Sequence, residues 1–200
     1  MKAPADHPVN ELIANRWSPY SFSDKPVSDE VVRSLFEAAR WAPSSYNEQP
    51  WYYILAKKES QEEFDRLVNC LWEANRDWAS LAPVLAIGVS SLNFTRNDKP
   101  NRAAIHDLGL ASGNIVIEAT ARGLHVHQMI GIYPEKVKEA YDVPEGYEPM
   151  TGIAIGYVGD RESLPEAIRK RDLERRPRKA LNDFVFGGTW GTPSRIIISD

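Results

Sequence analysis

AAIHDLGLASGNIVIEATA, residues 103–121, is the stretch on which the fold turns. The helix it marks runs from about Asn101 to Arg122, with apolar or small side chains nearly all round, and Asp107 and Glu118 are the only charges inside it. A helix of that kind is expected to be buried on most of its sides. Short apolar runs lie upstream and downstream, PVLAIGV at 83–89 and MTGIAIGYV at 150–158. Both read as strands covered on two faces. Trp51 to Ala56 and Leu124 to Met129 read as two further strands. Helical spacing marks Val9 to Asn15, a segment capped by Ser28 and running to about Ala42, Ser60 to about Ala79, and Pro134 to Tyr141. Strands separated by helices favour an α+β or α/β sandwich over an all-α bundle.

The composition sets outer bounds on function. The chain has 200 residues and a formal net charge of −4, so no overall basic field suggests nucleic-acid binding. A single cysteine, Cys70, excludes a disulfide framework within the chain. Its helical, apolar surroundings suit a small buried hydrophobe better than a nucleophile. The opening residues lack the apolar core of a signal peptide, and no uncharged apolar run approaches the ~20 residues of a membrane span. A soluble, cytoplasmic protein is expected. The dinucleotide fingerprint, the phosphate loop, the paired-histidine zinc motif and the serine elbow are all missing. His125 and His127 share one strand face but have no carboxylate at ligand spacing, and no metal site is expected.

What remains is a set of groups suited to an anion and a flat ring. Arg16 and Ser18 place a guanidinium and a hydroxyl within one turn, a good pair for a phosphate. Pro43, Ser44, Ser45, Tyr46 and Asn47 form a polar loop with several donors. Arg176 and Arg178 flank Pro177 in a tail rich in arginine and lysine that begins near Arg161. Such a tail either wraps a partner subunit or is a surface extension. Likewise Gly109, Ala111 and Gly113 suit either a helix face in a dimer core or packing within one subunit.

Taken together, these segments resemble the FMN-dependent nitroreductases. The resemblance begins at Asn15-Arg16-Trp17-Ser18-Pro19-Tyr20-Ser21-Phe22. It is most specific at Ala42-Pro43-Ser44-Ser45-Tyr46-Asn47-Glu48-Gln49-Pro50-Trp51, which keeps that family's Ser-Ser-x-Asn-x-Gln-Pro-Trp order. It continues through Asp107 to Gly123, Gln128-Met129-Ile130-Gly131-Ile132, Ile153 to Tyr157, and Arg176-Pro177-Arg178-Lys179 with Trp190-Gly191. The resemblance implies a homodimeric α+β three-layer sandwich: a central, mostly antiparallel sheet flanked by helices, with the C-terminal tail wrapping the partner subunit. Residues 1–160 would be the FMN-binding core and 161–200 an extension of the same domain. FMN would lie at the subunit interface. Arg16, Trp17, Ser18 and Tyr20 would meet its phosphate, joined by Arg176 and Arg178 from the tail. Pro43, Ser44, Ser45 and Asn47 would line the ring and ribityl chain, Asn75 would reach the ring edge, and Met129, Ile130 and Gly131 would cover it. Tyr20 departs from the family pattern, which has a second arginine there, so the phosphate grip would lean on the other arginines.

The activity so implied is hydride transfer from NADPH or NADH to flavin, then reduction of a nitroaromatic, quinone or similar flat acceptor in the same pocket. No catalytic side chain is expected, because the flavin performs the chemistry. A specialised flavin enzyme of the same fold, such as a biosynthetic dehydrogenase or reductive dehalogenase, is a second reading. The segment Leu92 to Arg102 would be its substrate lid. A flavin-binding sensor without turnover is a third.

Overall fold

The computed structural model describes residues 2–173 and 177–198. Four strands form one antiparallel sheet: β1 (Trp51–Lys57), β2 (Val84–Ser91), β3 (His125–Met129) and β4 (Tyr147–Gly156). Their spatial order is β1-β2-β4-β3, so β1 and β3 are the outer strands. Every residue of β2 is buried, which accounts for the apolar run Val84 to Val89 before its closing serines.

Two cores lie on the two faces of the sheet. One holds Val84, Ala86, Val126, Ile153 and Ile155 beneath α2 (Asp29–Arg40) and α5 (Ala104–Ala121). The other holds Leu85, Ile87, Met129 and Ala154 beneath α3 (Gln61–Val68), α4 (Glu73–Ala79) and α6 (Pro134–Tyr141). Helices thus cover both faces of an antiparallel sheet, an α+β three-layer sandwich. A short α1 (Glu11–Asn15) precedes it and α7 (Glu166–Leu173) follows. Helix α2 starts where expected: the Ser28 hydroxyl accepts the Val31 N–H, and Asp29 and Glu30 occupy the positive end of the helix.

Three expectations need correction. The single helix over 60–79 is two helices, because the chain between them leaves helical geometry to pair with the segment after β3. Leu71 bridges Ile132, the Trp72 N–H donates to Gly131 O at 3.0 Å, and the Tyr133 N–H donates to Cys70 O at 2.8 Å. Cys70 therefore sits at a break and not mid-helix, although it is buried as expected. The third correction concerns α5. Ala104, Leu108, Ala111, Ile115 and Ala119 face the sheet, whereas Ile105 is 51% exposed and nothing lies within 4 Å of where a Cβ on Gly109 or Gly113 would be. Within one chain the sheet and α2 cover most of the helix, and the face carrying Ile105, His106, Gly109 and Leu110 is left open.

The segment after β4 is tied back onto the core. The Gly159 N–H donates to Ser21 O, and a side chain at 159 would strike the Phe22 backbone, so only glycine fits this crossing. Leu164 is buried in the second core. Beyond Ala180 the chain closes on itself, with Phe186 bridging Pro193 and Gly187 donating to Thr192, and Trp190 stands 93% exposed.

Candidate functional site

Helix α1 ends at Arg16, whose N–H caps Leu12 O at 3.1 Å. Its guanidinium Nη1 donates to Ser18 Oγ at 3.0 Å, so the two side chains expected to meet a phosphate lie against each other. The next residues run along β3, the open edge of the sheet. Trp17 meets the His125 ring edge-on at 5.5 Å, and Pro19 O lies 2.8 Å from His127 Nδ1. Tyr20 packs its ring against His127 at 4.6 Å and Trp78 at 5.0 Å. That ring belongs to the packed core, while the Tyr20 N–H donates to Asp172 Oδ1 at 2.7 Å.

Asp172 is the anchor of this corner. Its side chain is wholly buried, and Arg161 Nε approaches Oδ2 at 2.9 Å. The Arg161 guanidinium also lies 5.3 Å from the Trp17 ring. A buried carboxylate needs such partners, because an unpaired one would be strongly disfavoured. The pair thereby fastens α7 to the Arg16–Tyr20 segment. Nearby, His125 Nδ1 is buried with no hydrogen-bond partner among the described residues. Burial, reinforced by the Arg16 charge, holds the His125 pKa below its ordinary 6.5.

Past the end of β3 the chain turns at Ile130 and Gly131. Met129 points its side chain into the core, so only its backbone faces this turn, whereas Ile130 is 78% exposed. Gly131 O accepts two donors, the Trp72 N–H at 3.0 Å and Asn75 Nδ2 at 2.9 Å. A Cβ at 131 would collide with Asn75 Nδ2 and sit 3.1 Å from the Trp72 ring. Asn75 is therefore a brace for this turn, and among the described residues the Gly131 N–H donates to no protein acceptor.

The second group of residues lies between α2 and β1. Tyr46, Asn47 and Gln49 all have positive φ, near +55°. Three non-glycine residues in that region within one short loop represent stored strain, which surrounding bonds must hold. Those bonds are present. The Ser45 N–H donates to Asp107 Oδ2 at 3.0 Å, Ser44 Oγ accepts the Gln49 N–H at 3.0 Å, and Glu48 Oε1 accepts both the N–H and the hydroxyl of Thr95 at 2.6 Å. Pro43 is exposed, and the exposed amide of Asn47 makes no side-chain hydrogen bond among the described residues.

The expected site residues thus form two clusters rather than one. Arg16, Trp17, Ser18, Tyr20, Asn75, Met129, Ile130 and Gly131 gather at β3. Pro43, Ser44, Ser45 and Asn47 lead into β1, the opposite outer strand. At ~4.8 Å per strand the two edges are about 14 Å apart. Arg178 is exposed in the tail with Nη1 3.3 Å from Pro177 O, and Arg176 lies outside the described residues. Two surface pockets of about 450 and 440 Å³, one beside Cys70 and one beneath the N-terminal segment, are lined by none of these residues.

Residues 13–157 match the family model described as the nitroreductase family. The chain belongs to the nitroreductase family. It is accordingly an oxidoreductase, and the matched span contains both clusters but not Arg161, Asp172 or the tail. Similar proteins agree. A crystal structure of an oxidoreductase containing FMN is 33% identical and superposes with a TM-score of 0.89, covering 94% of this chain and 96% of that one. A protein of Archaeoglobus fulgidus with the provisional name NADH dehydrogenase/NAD(P)H nitroreductase is 26% identical over 174 residues, 84% of this chain and 96% of that protein. An uncharacterised 15.4 kDa protein of Mycolicibacterium smegmatis is 39% identical over 97 residues, 48% of this chain and 65% of that protein. No helix among the described residues of this nitroreductase is long and apolar enough to cross a membrane.

Sequence reasoning missed the residues that hold the site in place. Asp107 carried a signal, as a lone acid on the inner side of an apolar helix. Asp172 and Arg161 carried none, since each stands in a run of charges that reads as a solvated face.

Proposed function

We propose that this nitroreductase is an FMN-dependent enzyme that oxidises NADPH or NADH and reduces nitroaromatics, quinones or similar flat acceptors in alternating, ping-pong half-reactions. The observation that carries the reading is the chemistry of the two clusters. One has a preassembled arginine–hydroxyl pair for a phosphate and a free backbone N–H at a turn closed to any side chain. The other has a strained loop of small polar residues. A phosphorylated, flat heteroaromatic ligand needs both. The similar oxidoreductase containing FMN and the name of the Archaeoglobus relative support the same reading.

A second copy of the chain would complete the site. A two-fold partner can bring the loop before β1 of one subunit to the β3 edge of the other, which one chain leaves well separated. The exposed Ile105 face of α5, open at Gly109 and Gly113, and the extended tail with its bare Trp190 suit such an interface. In this reading residues 1–160 form the flavin-binding core, and 161–200 extend it over the partner, with Arg161–Asp172 first tied to its own chain.

FMN, when bound, supplies the hydride-accepting and hydride-donating centre. The protein holds, orients and dries it. Arg16 and Ser18 grip the phosphate, with Arg178 and Arg176 arriving from the tail, and Trp17 and Tyr20 keep that strand seated. Pro43, Ser44, Ser45 and Asn47 line the ring and ribityl chain. The Gly131 N–H, braced by Asn75 and flanked by Met129 and Ile130, donates to the ring edge. Donors aimed at a reduced ring carry most weight where water is excluded. Cys70 takes no part: it is buried, and burial pushes its thiol pKa up.

The test is anaerobic stopped-flow mixing of FMN-loaded protein with NADPH and with NADH. Rapid loss of flavin absorbance, restored by a nitroaromatic or a quinone, is the expected result. Flavin that binds but is bleached by neither nucleotide would leave a binding protein without this activity.

A further inference from the structure

We infer that Arg96, in the loop spanning 92–102, recognises a carboxylate on the acceptor, so that the enzyme prefers anionic aromatic substrates. The inference rests on the reading above, in which Ser44, Ser45 and Asn47 line the ring pocket. The Arg96 guanidinium lies 4.2 Å from the centre of the Tyr46 ring and 5.0 Å from that of Phe94. The two rings meet edge-on at 6.0 Å. Tyr46 is 75% exposed and belongs to the strained loop itself. Glu48 of that loop takes both donors of Thr95, the residue before Arg96, at 2.6 Å. The cation is thereby bolted to the loop that lines the pocket.

Stacking fixes a guanidinium in a plane and leaves its N–H edge free, the geometry that meets a carboxylate bidentately. Because the rings already hold it, little side-chain freedom is lost on binding. Arg96 is exposed, and after the Thr95 hydrogen bonds its charge helps hold the Glu48 carboxyl below its ordinary range. The acids nearest are Glu48, whose Oε1 is engaged by Thr95, Asp98, whose Oδ1 accepts from Asn93 at 3.0 Å, and buried Asp107, whose Oδ2 accepts the Ser45 N–H at 3.0 Å. The stacked Arg96 guanidinium is therefore a local recognition group and not part of a net-positive rim. A neutral ring gains nothing from that guanidinium; a ring bearing a carboxylate does.

The experiment compares 4-nitrobenzoate with its uncharged counterpart 4-nitrobenzyl alcohol, using wild type, Arg96→Gln and Arg96→Lys, all loaded with FMN. Loss of a partly exposed charged hydrogen-bond pair should raise KM for 4-nitrobenzoate roughly tenfold in Arg96→Gln with kcat little changed. KM for the alcohol should stay within about twofold of wild type on the same reasoning, and Arg96→Lys should fall between, keeping the charge but losing the fork. Calorimetric affinities of both compounds for the oxidised holoprotein should show the same split. If the protein turns over neither compound, the reaction assigned above fails while these affinities still decide the role of Arg96. Equal losses for both compounds, or no change for either, would overturn the inference. So would a loss confined to NADPH relative to NADH, which would assign Arg96 to the donor's phosphate.

Discussion

Arg16 and Ser18 stand two residues apart, and one hydrogen bond of 3.0 Å joins them before any ligand arrives. Such a pair loses little freedom on binding a phosphate. Truncating one partner of a desolvated charge pair typically costs ~2–5 kcal/mol, so Arg16→Ala should weaken FMN at least ~30-fold. Riboflavin, which lacks the phosphate, should bind the variant and the wild type alike. Fluorescence titration with both flavins checks this, and an equal loss for riboflavin would make Arg16 a ring or structural contact. Two other residues set their own tests. An alanine at Gly131 must push Asn75 away, breaking its bond to Gly131 O and crowding Trp72. We expect Gly131→Ala to destabilise the protein by about 1–3 kcal/mol and to cost much less when Asn75 is already alanine, a coupling measured by a double-mutant cycle. His125 is held neutral below its ordinary 6.5. The unfolded chain therefore takes up its proton first as pH falls. The stability His125 contributes is complete above about pH 6.5 and declines below it toward the lower folded value. Urea midpoints at pH 7.5 and 5.5 should diverge more for wild type than for His125→Phe.

At the scale of elements, the strands and helices with a strong period are legible in the sequence. The limits of α6 agree to the residue, and β2 and α5 to within three. The break at Cys70 and Leu71 is not legible. Its local spelling is helical, and only the pairing of Leu71 with Ile132, sixty-one residues away, pulls the chain out of the helix. The strained loop is visible as polar punctuation after Ala42, but its three positive φ angles are not, because Asp107 and Thr95 impose them from other elements. The motif residues of the proposed site are named from the sequence. Their supports are not, because Asp172 and Arg161 acquire meaning only when α7 folds back on the opening segment. Tyr20 shows the same limit: as a letter it replaces an arginine beside a phosphate, and in the fold its ring fills a gap between Trp78 and His127.

On the scale of the molecule, the question is whether the two clusters belong to one site or to two. They lead to opposite edges of a four-stranded sheet, so on the proposed reading a single chain would present each half of the flavin site without the other. The tail past Ala180 bonds to itself and shows Trp190 and Ile196 at 93% exposure, which suits contact with a partner. Residues 161–173 carry buried Leu164 and Asp172 and belong to the subunit's own stability, so a deletion starting at Pro177 separates assembly from folding. The decisive measurement is native mass spectrometry of the FMN-loaded protein, run on the full chain and on a chain ending before Pro177. Two chains carrying two FMN molecules are expected for the full protein, and a folded, flavin-free species for the shortened one. A full-length monomer that retains its FMN, or a shortened monomer that does, would contradict the two-chain site.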